Sequence, residues 1–478
     1  MKLSWLILFI LFFIDMTVLA QDNKCYKSTE GKDFWFGFMQ GRNHNPKHYI
    51  EITVSSSHTC TFDIYYGKST TSSYHGKILP NTPSQIRLDT LRGEPIGSEF
   101  VDEKAIHLVS DSLLNLFAMN FSPFSSEAAL IYPTALLGKE YYTMCSHGAI
   151  IKNSRLFDEF VIVASEDNTT INISPKCPTS GGKAANNLFT ITLGKGELYQ
   201  VQSELSNKGH LTGSYIKSDK PVAVFSGGLS TKNTEEDWDH WYEQMPPVQT
   251  WGTTFIAVPL LTRYWDGYNI IPSQPNTTVQ IGNKAPIHLS LAGLPLSFSL
   301  SFDQASLIQT DKPVLLDQYS NPGSVDQLYS SGDGDPFLIT VSPVNQTREE
   351  VVFVAYDSPE ITLKFFVNIA VKDDAVGKIM LDDVIVPFTA LSGTGYSYAQ
   401  LRVKKGPHRI RTTEPGKGFT ANVYAFGNVE GYGYNVGYTP DSQLNLGGYI
   451  DEHGKKYKVR CDGSSPVVLN AGNAFDSF

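Results

Sequence analysis

Three consecutive strings decide the fold of this chain: FVIVASEDNTTINISPK (160–176), TITLGKGELYQV (190–201) and GSYIKSDKPVAVFSGG (213–228). Apolar and polar residues alternate along much of each string, and Asn, Asp, Gly and Pro separate the alternating runs. This pattern is typical of β-strands joined by tight turns. The strings therefore predict a β-structure that is rich in hairpins.

The same strings recur along the chain. The first has a relative in YNIIPSQPNTTVQI (268–281), with Asn-Thr-Thr in register. Relatives of the third string are AIHLVSDSLLNLF (105–117), SLIQTDKPVLLD (306–317) and HRIRTTEPGKGF (408–419). Strings led by a proline occur at YPTALLGKEYY (132–142), PPVQTWGTTFI (246–256) and SPVNQTREEVVF (342–353). Ordered recurrence of this kind predicts one β-rich module of about 100 residues, used about four times.

The fold class follows from these periods, because the chain beyond its N-terminal segment shows no convincing helical period over windows of about 11 residues. We predict an all-β fold of tandem β-sandwich-like modules, with a β-propeller-like closure as the alternative. The repeat region covers 49–430, and its predicted modules are 49–148, 149–262, 263–345 and 346–430. An N-terminal strand segment at 21–48 precedes it, and a C-terminal strand with a polar tail at 431–478 follows.

The first 20 residues have the pattern of a signal peptide. Lys2 precedes an apolar run at 3–14, and small residues lead to a cleavage site after Ala20. The run is too short to span a bilayer and is followed by Asp15. We therefore expect a secreted or cell-surface protein without membrane insertion.

Charge excludes some classes of partner. The net charge of −10 argues against nucleic acid, which requires a basic patch. No motif for a cofactor occurs, and Ser226-Gly227-Gly228 lacks the G-x-S-x-G elbow of many hydrolases. The sequence therefore favours binding over catalysis.

The sequence contains five cysteines: Cys25, Cys60, Cys145, Cys177 and Cys461. In an exported protein, cysteines form disulfides where geometry allows. Sequence alone leaves the pairing open, and we favour Cys145–Cys177 and Cys25–Cys60. Cys461 is then free or paired with another chain.

The best local candidate for a binding site is TEEDWDHWYEQMPP (234–247), which interrupts the repeat with acidic and aromatic residues. Its candidate residues are Trp238, Asp239, His240, Trp241, Tyr242 and Glu243. Exposed Trp and Tyr suit protein or carbohydrate contacts, and the carboxylates could ligate a cation. The alternative is a segment that packs its aromatic rings against a neighbouring module. Asp333 and Asp335 are weaker metal candidates, because the full calcium-loop pattern is absent.

Five asparagines lie in glycosylation sequons: Asn120, Asn168, Asn172, Asn276 and Asn345. In a eukaryotic host we expect some of them to carry glycan. Asn168 and Asn276 occupy the same turn of successive repeats, where Asn tolerates a left-handed conformation. Turn chemistry alone explains that recurrence equally well.

Several of these strings together resemble the IgG Fc-binding protein N-terminal domain family. The resembling strings are GKDFWFGFM (31–39), YPTALLGKEYY (132–142), VASEDNTTINI (163–173), GSYIKSDKPVAVFSG (213–227), DHWYEQMPPVQTWGTTFIAVP (239–259) and VYAFGNVEGYGYNVG (423–437). The resemblance implies a secreted binding or adhesion protein without a cofactor, whose partner is an extracellular protein or glycan. Immunoglobulin Fc and mucin are the candidate partners. The alternatives are a carbohydrate-active enzyme that uses 234–247, and a structural matrix or surface component.

Overall fold

The computed structural model describes residues 28–41, 47–145, 157–204, 209–232, 238–321, 323, 333–440, 448–450, 456–458 and 467–468. The chain forms two units, a large one at Lys27–Ser442 and a small one made of Met1–Tyr26 and Gln443–Phe478. The predicted signal peptide, Cys25 and Cys461 lie outside the described residues.

The large unit is built from β-strands, which we divide into four groups. Group one (31–131) contains β1 (Gly31–Phe36), β2 (Tyr49–Ser55), β3 (Cys60–Tyr66), β4 (Tyr74–Ile78), β5 (Ser84–Arg87), β6 (Val101–Asp102), β7 (Ile106–Phe121) and β8 (Glu127–Ile131). Group two (138–244) contains β9 (Gly138–Tyr142), β10 (Asp158–Ala164), β11 (Thr169–Ser174), β12 (Phe189–Leu193), β13 (Leu198–Gln202), β14 (Tyr215–Lys232) and β15 (Trp238–Gln244).

Group three (252–340) contains β16 (Gly252–Ala257), β17 (Trp265–Pro272), β18 (Thr277–Ile281), β19 (Ile287–Leu289), β20 (Leu296–Ser301), β21 (Ser306–Tyr319) and β22 (Leu338–Thr340). Group four (350–435) contains β23 (Glu350–Ala355), β24 (Lys364–Lys372), β25 (Ile379–Leu381), β26 (Val384–Ile385), β27 (Thr389–Leu391), β28 (Tyr396–Val403), β29 (Gly406–Thr412), β30 (Phe419–Gly427) and β31 (Glu430–Asn435).

In the small unit, β32 (Gly448–Ile450), β33 (Lys456–Lys458) and β34 (Val467–Val468) form an antiparallel sheet. Helix within the described residues is limited to α1 (Thr90–Gly93) and short 3₁₀ turns, such as Thr134–Leu136, Val248–Thr250 and Asp373–Ala375. The predicted all-β class is confirmed.

Each group is arranged around one long strand that pairs differently along its two halves. In group one, the first half of β7 pairs with β1 and β3, and the second half pairs with β2 and β8. β14 and β21 pair in the same way in groups two and three. In group four, two separate strands replace the single long strand. β29 pairs with β23 and β25 as the first halves do, and β30 pairs with β24 and β31 as the second halves do. β1 therefore pairs within group one, although it lies in the predicted segment 21–48.

A short hydrogen bond marks the bend between the halves in every group. A hydroxyl donates to the carbonyl oxygen two residues further on, at 2.6 to 2.9 Å, from Ser110, Ser218, Thr310 and Thr412. Such local side-chain bonds compete with ladder pairing and bend the strand. They explain why Ser-Asp, Thr-Asp or Thr-Thr recurs in the third string.

The recurring Asn-Thr-Thr also has a structural explanation. Asn168 and Asn276 both adopt the left-handed conformation, with φ of 53° and 55°, which confirms the predicted turn. In the second of these turns, the Thr277 hydroxyl donates to the Gln274 carbonyl at 2.7 Å. The Thr278 amide then donates to Asp311 of the bent strand at 2.7 Å. The motif thus ties a hairpin turn to the long strand beside it.

The four groups contact one another in a closed order, from one to two, three, four and back to one. The aromatic pairs at the four contacts, with centroid separations of 5.1 to 5.9 Å, are Phe38–Tyr242, Trp241–Tyr319, Phe337–Phe426 and Tyr434–Phe117. The ends of the large unit also meet, because the Thr29 amide donates to the Tyr438 carbonyl at 3.0 Å. The arrangement thus combines sandwich-like groups with the closure expected of a propeller.

The proline-led strings pack against glycines at the start of the preceding group. A Cβ added at Gly138 would overlap with Pro247 of the next proline-led string, and the same relation joins Gly31 to Pro133 and Gly252 to Pro343. The glycines therefore allow one group to approach the following linker closely.

We expect Gly138→Ala to lower the free energy of unfolding by about 1–3 kcal/mol, because the new methyl group overpacks this contact. Urea unfolding monitored by tryptophan fluorescence measures the change. Gly194→Ala is the matched control, since its Cβ would approach the carboxylates of Glu197 and Asp167 only to 3.3 and 3.4 Å, without the overlap found at Gly138. Equal stability of the Gly138 variant and the wild type would contradict the packing explanation.

Candidate functional site

The acidic-aromatic segment that the sequence singled out forms β15, which pairs with the second half of β14. Trp241 contacts Tyr319 of group three, while the ring of Tyr242 stacks between Phe38 and Phe225 with centroids 5.4 Å away from each. At most 1% of each side chain is exposed for Asp239, His240, Trp241, Tyr242 and Glu243. These five side chains therefore offer no exposed aromatic surface, because neighbouring groups cover them. The side chain of Trp238, the sixth candidate, lies outside the described part of the chain.

Several polar atoms of β15 also form hydrogen bonds inside the protein. The amide of His240 donates to the Asp239 carboxylate at 2.6 Å, and His240 Nε2 lies 3.2 Å from the side-chain amide of Asn120. Glu243 accepts the Thr340 amide at 3.3 Å, and its burial raises the pKa of this carboxyl well above the usual range. These contacts hold the strand in place rather than present its acids to solvent.

The weaker metal candidates are also engaged internally. The Asp333 carboxylate pairs with Lys364 at 2.5 Å, so a cation of the protein already faces it. Asp335 is buried, and its backbone carbonyl accepts the Ser320 hydroxyl at 2.7 Å. In the described part of the chain, no three acidic, histidine or cysteine side chains converge as metal ligands would.

The sequons differ in accessibility. Asn168 and Asn276 are exposed at the tips of their turns, whereas Asn120 is buried and faces His240. Asn172 accepts the Thr190 hydroxyl at 2.8 Å, and Asn345 is half-buried. A glycan therefore has room at Asn168 and Asn276, and none at Asn120 in this conformation.

Cys60, Cys145 and Cys177 are buried free thiols in the structure. The Cys145–Cys177 bond that the sequence suggested is not formed, although both thiols belong to one hydrophobic cluster. The Cys145 thiol instead donates to the Glu159 carbonyl at 3.5 Å, and burial raises the pKa of both thiols. The proposed partner of Cys60, Cys25, lies outside the described residues.

Four exposed apolar residues lie at strand ends, two of them in the turns before the last strands of groups one and four and two beside the β17–β20 pair of group three. We call Phe124, Tyr264, Phe302 and Val429 the hairpin-end surface. Phe124 and Val429 occupy the β7–β8 and β30–β31 turns, and Tyr264 and Phe302 flank the β17–β20 pair at the same end of β21. These side chains are 41% to 50% exposed. Tyr264 and Phe302 stack with ring centroids 6.4 Å apart.

Two of these residues adopt an unfavourable backbone conformation. Phe124 has φ of 63° and Val429 has φ of 50°, in a region that L-residues with bulky or branched side chains rarely occupy. The buried Glu430 carboxylate holds the Phe124 turn, since it accepts the amides of Phe124 and Ser126 at 3.1 and 3.2 Å. The sequence analysis missed this surface. The signal that could have indicated it is a valine in the tight turn of GNVEG (427–431), where Gly or Asn is usual.

The structure is that of an all-β protein whose four strand groups share one pattern of strand pairing. The sequence model of a family described as IgGFc binding protein matches residues 127–425, and the chain belongs to this family. The resemblance inferred from the repeated strings is thereby confirmed.

A curated relative is the IgGFc-binding protein of Homo sapiens, which is 26% identical over 243 residues. The match covers 50% of this chain and 4% of the human protein, so the chain corresponds to a small part of that relative. No solved structure matches the chain. Among the described residues, no helix is long and apolar enough to cross a membrane.

Proposed function

We propose that this chain is an extracellular recognition protein that binds another protein through its hairpin-end surface and performs no catalysis. An immunoglobulin Fc region is the first candidate partner, because the family and the human relative are named for that ligand. A mucin or another surface glycoprotein is the second. Secretion and glycosylation are part of the same proposal.

The observation that carries the proposal is the pair of strained, exposed apolar residues on neighbouring turns. Left-handed backbone at such residues costs about 1–3 kcal/mol, and strain of this kind clusters at functional sites. Phe124 and Val429 lie close together, because Glu430 follows Val429 and accepts the Phe124 amide. Gly or Asn at these two positions would relieve the backbone strain. The presence of Phe and Val there is explained if binding requires apolar side chains.

Tyr264 and Phe302 supply the kind of residue that anchors protein interfaces. Aromatic side chains offer large rigid contact areas, and a few of them dominate binding energy when a partner excludes water from them. Rings that are about half exposed retain apolar area for a partner to cover. The carbohydrate-active alternative depends on residues of β15, whose described side chains are buried.

We expect Phe124→Asn and Val429→Asn to weaken binding of the full chain to immobilised Fc about tenfold or more, because apolar anchors are lost. Their free energies of unfolding should remain equal to that of the wild type or rise by about 1 kcal/mol, since Asn tolerates positive φ. Biolayer interferometry and urea unfolding measure the two effects.

Leu188→Asn is the control for the loss of an exposed apolar side chain away from the hairpin-end surface. Mucin in place of Fc distinguishes the two candidate partners. Wild-type affinity in both hairpin-end variants would refute the proposed surface, and capture of neither ligand by the wild type would refute both candidates.

A further inference from the structure

Glu430 connects the two turns that present Phe124 and Val429. It follows Val429 directly in the chain, at the start of β31. One of its carboxylate oxygens accepts the Phe124 amide at 3.1 Å, and the other accepts the Ser126 amide at 3.2 Å. A single side chain of group four therefore holds the turn of group one in which Phe124 adopts its left-handed conformation.

The carboxyl of Glu430 lies inside the protein, where its side chain is 1% exposed. Burial raises the pKa of this carboxyl to about 7, although hydrogen bonds from Ser126, Phe124 and Gly431 act to lower it. The ordinary value is 4.5. Glu430 thus changes its charge near neutral pH, at the contact that fixes the Phe124 turn.

The titratable groups that face Glu430 are Tyr49, Tyr356, Asp357 and Tyr432. Burial raises the pKa of the three phenols above their ordinary value of 10, so they remain neutral when Glu430 titrates. Asp357 pairs with Lys405 at 2.9 Å. Glu51 of the adjacent β2 faces Arg87 at 3.9 Å. These two acids face cations, whereas Glu430 is held by neutral N–H and O–H donors.

A small cavity beside Glu430 gives a proton a route to the carboxyl. Its volume is about 10 Å³, which is room for about one water molecule. Ser126, Asp357 and Glu430 are among the residues that line it. The Asp357 side chain is 46% exposed, so the cavity lies close to the protein surface.

We infer that Glu430 is a positioning residue that couples partner binding to pH, because its carboxylate holds the Phe124 turn and its protonation releases that turn. An oxygen that takes up a proton becomes a donor, and the amide facing it loses a charge-assisted bond. The coupling is reciprocal, since donors that lower the pKa of a carboxyl are held more firmly by its ionised form. The inference rests on the proposed binding role of the hairpin-end surface.

The test measures binding of the full chain to immobilised Fc by biolayer interferometry at two pH values. We expect the apparent affinity of the wild type to fall about tenfold from about pH 8 to about pH 6, because the ionised, binding-competent fraction falls in that proportion. Glu430→Gln is neutral at both pH values and should bind as weakly at each as the wild type does at the lower one.

Asp158→Asn is the matched control. Burial also raises the pKa of Asp158 to about 7, but this carboxyl accepts the Leu211 amide at 3.0 Å, within group two. The variant should keep the pH dependence of the wild type. Loss of that dependence in Asp158→Asn would show a general effect of buried acids and overturn the inference.

A second measurement follows the Phe124 turn without any partner. NMR of the chain with isotope-labelled phenylalanine identifies the Phe124 amide signal by its absence in Phe124→Asn. This signal should shift with a midpoint at about pH 7 in the wild type and stay constant in Glu430→Gln.

Fc binding of equal affinity at both pH values, or an unchanged pH dependence in Glu430→Gln, would overturn the inference and leave the proposed function intact. Absence of Fc binding at every pH would refute Fc as the partner. In that case a Phe124 signal that does not titrate would overturn the inference, and one that does would support it.

A loss of stability does not produce the expected result. Because the folded state raises the pKa of Glu430 above 4.5, the stability from this group is fully present below pH 4.5 and is lost as the pH rises through about 7. Weaker binding at the lower pH has the opposite sign. Thermal melting of each variant at both pH values checks its fold.

Discussion

We expect Trp241→Ala to lower the free energy of unfolding by about 3–5 kcal/mol, the range for truncating a large buried aromatic side chain. Trp241 is fully buried between groups two and three, where its ring contacts Tyr319 at a centroid distance of 5.9 Å. Urea unfolding followed by circular dichroism measures the loss.

The control is Leu91→Ala, which shortens an 84% exposed side chain of α1 and should change stability by less than about 0.5 kcal/mol. The comparison also distinguishes the two interpretations of β15 that the sequence left open, a segment that binds a partner and a segment that packs against a neighbouring module. Loss of ligand binding at wild-type stability in Trp241→Ala would show that the residue contacts a partner. A destabilised variant, with binding that returns under strongly stabilising conditions, is the expected result.

The second large effect is expected at Glu127, a fully buried residue that bonds to three of the four strand groups. Its carboxyl accepts the amides of Ala128 at 3.0 Å, Leu338 at 3.2 Å and Gly433 at 3.3 Å. These amides belong to groups one, three and four. Glu127→Ala leaves three buried N–H groups without this acceptor, and each such group costs about 1–3 kcal/mol. We therefore expect a loss of about 3 kcal/mol or more.

Glu127→Gln retains one carbonyl oxygen and should lose less stability than Glu127→Ala. Glu103→Ala, which changes an exposed acid, is the control for a general charge effect. Urea unfolding of the three variants at one pH gives the ranking. A Glu127→Ala variant as stable as Glu103→Ala would show that the three amides find other acceptors.

The stability conferred by Glu127 should also depend on pH. Burial raises the pKa of this carboxyl well above its ordinary value of 4.5, and the nearby Glu243 adds to the shift. The folded state therefore binds the proton more tightly than the unfolded state does. The resulting stability is fully present below pH 4.5 and is lost as the pH rises through the folded pKa.

The wild type should accordingly lose unfolding free energy relative to Glu127→Gln as the pH rises above about 4.5. Denaturant unfolding of both proteins across this interval provides the measurement. The opposite trend would mean that the three amides stabilise the carboxylate more than burial disfavours it.

Much of the architecture was predictable because it depends on neighbours in the sequence. Alternation of period two specifies strands, and Asn168 and Asn276 specify left-handed turns through their own tolerance of positive φ. The family was also recognisable, since its repeated strings reflect the local bends and turns. The hairpin-end surface left a weaker signal, a valine in a tight turn, that only the backbone conformation made meaningful.

The sequence by itself thus determined the all-β class, the recurring strings and the family of this protein. The tertiary structure alone decided which aromatic residues are exposed. Trp241 and Tyr242 look like surface residues beside acids, yet Tyr319 and Phe38 from other strand groups cover them. Burial depends on which distant segments pack against a strand, and no local pattern of residues encodes that contact.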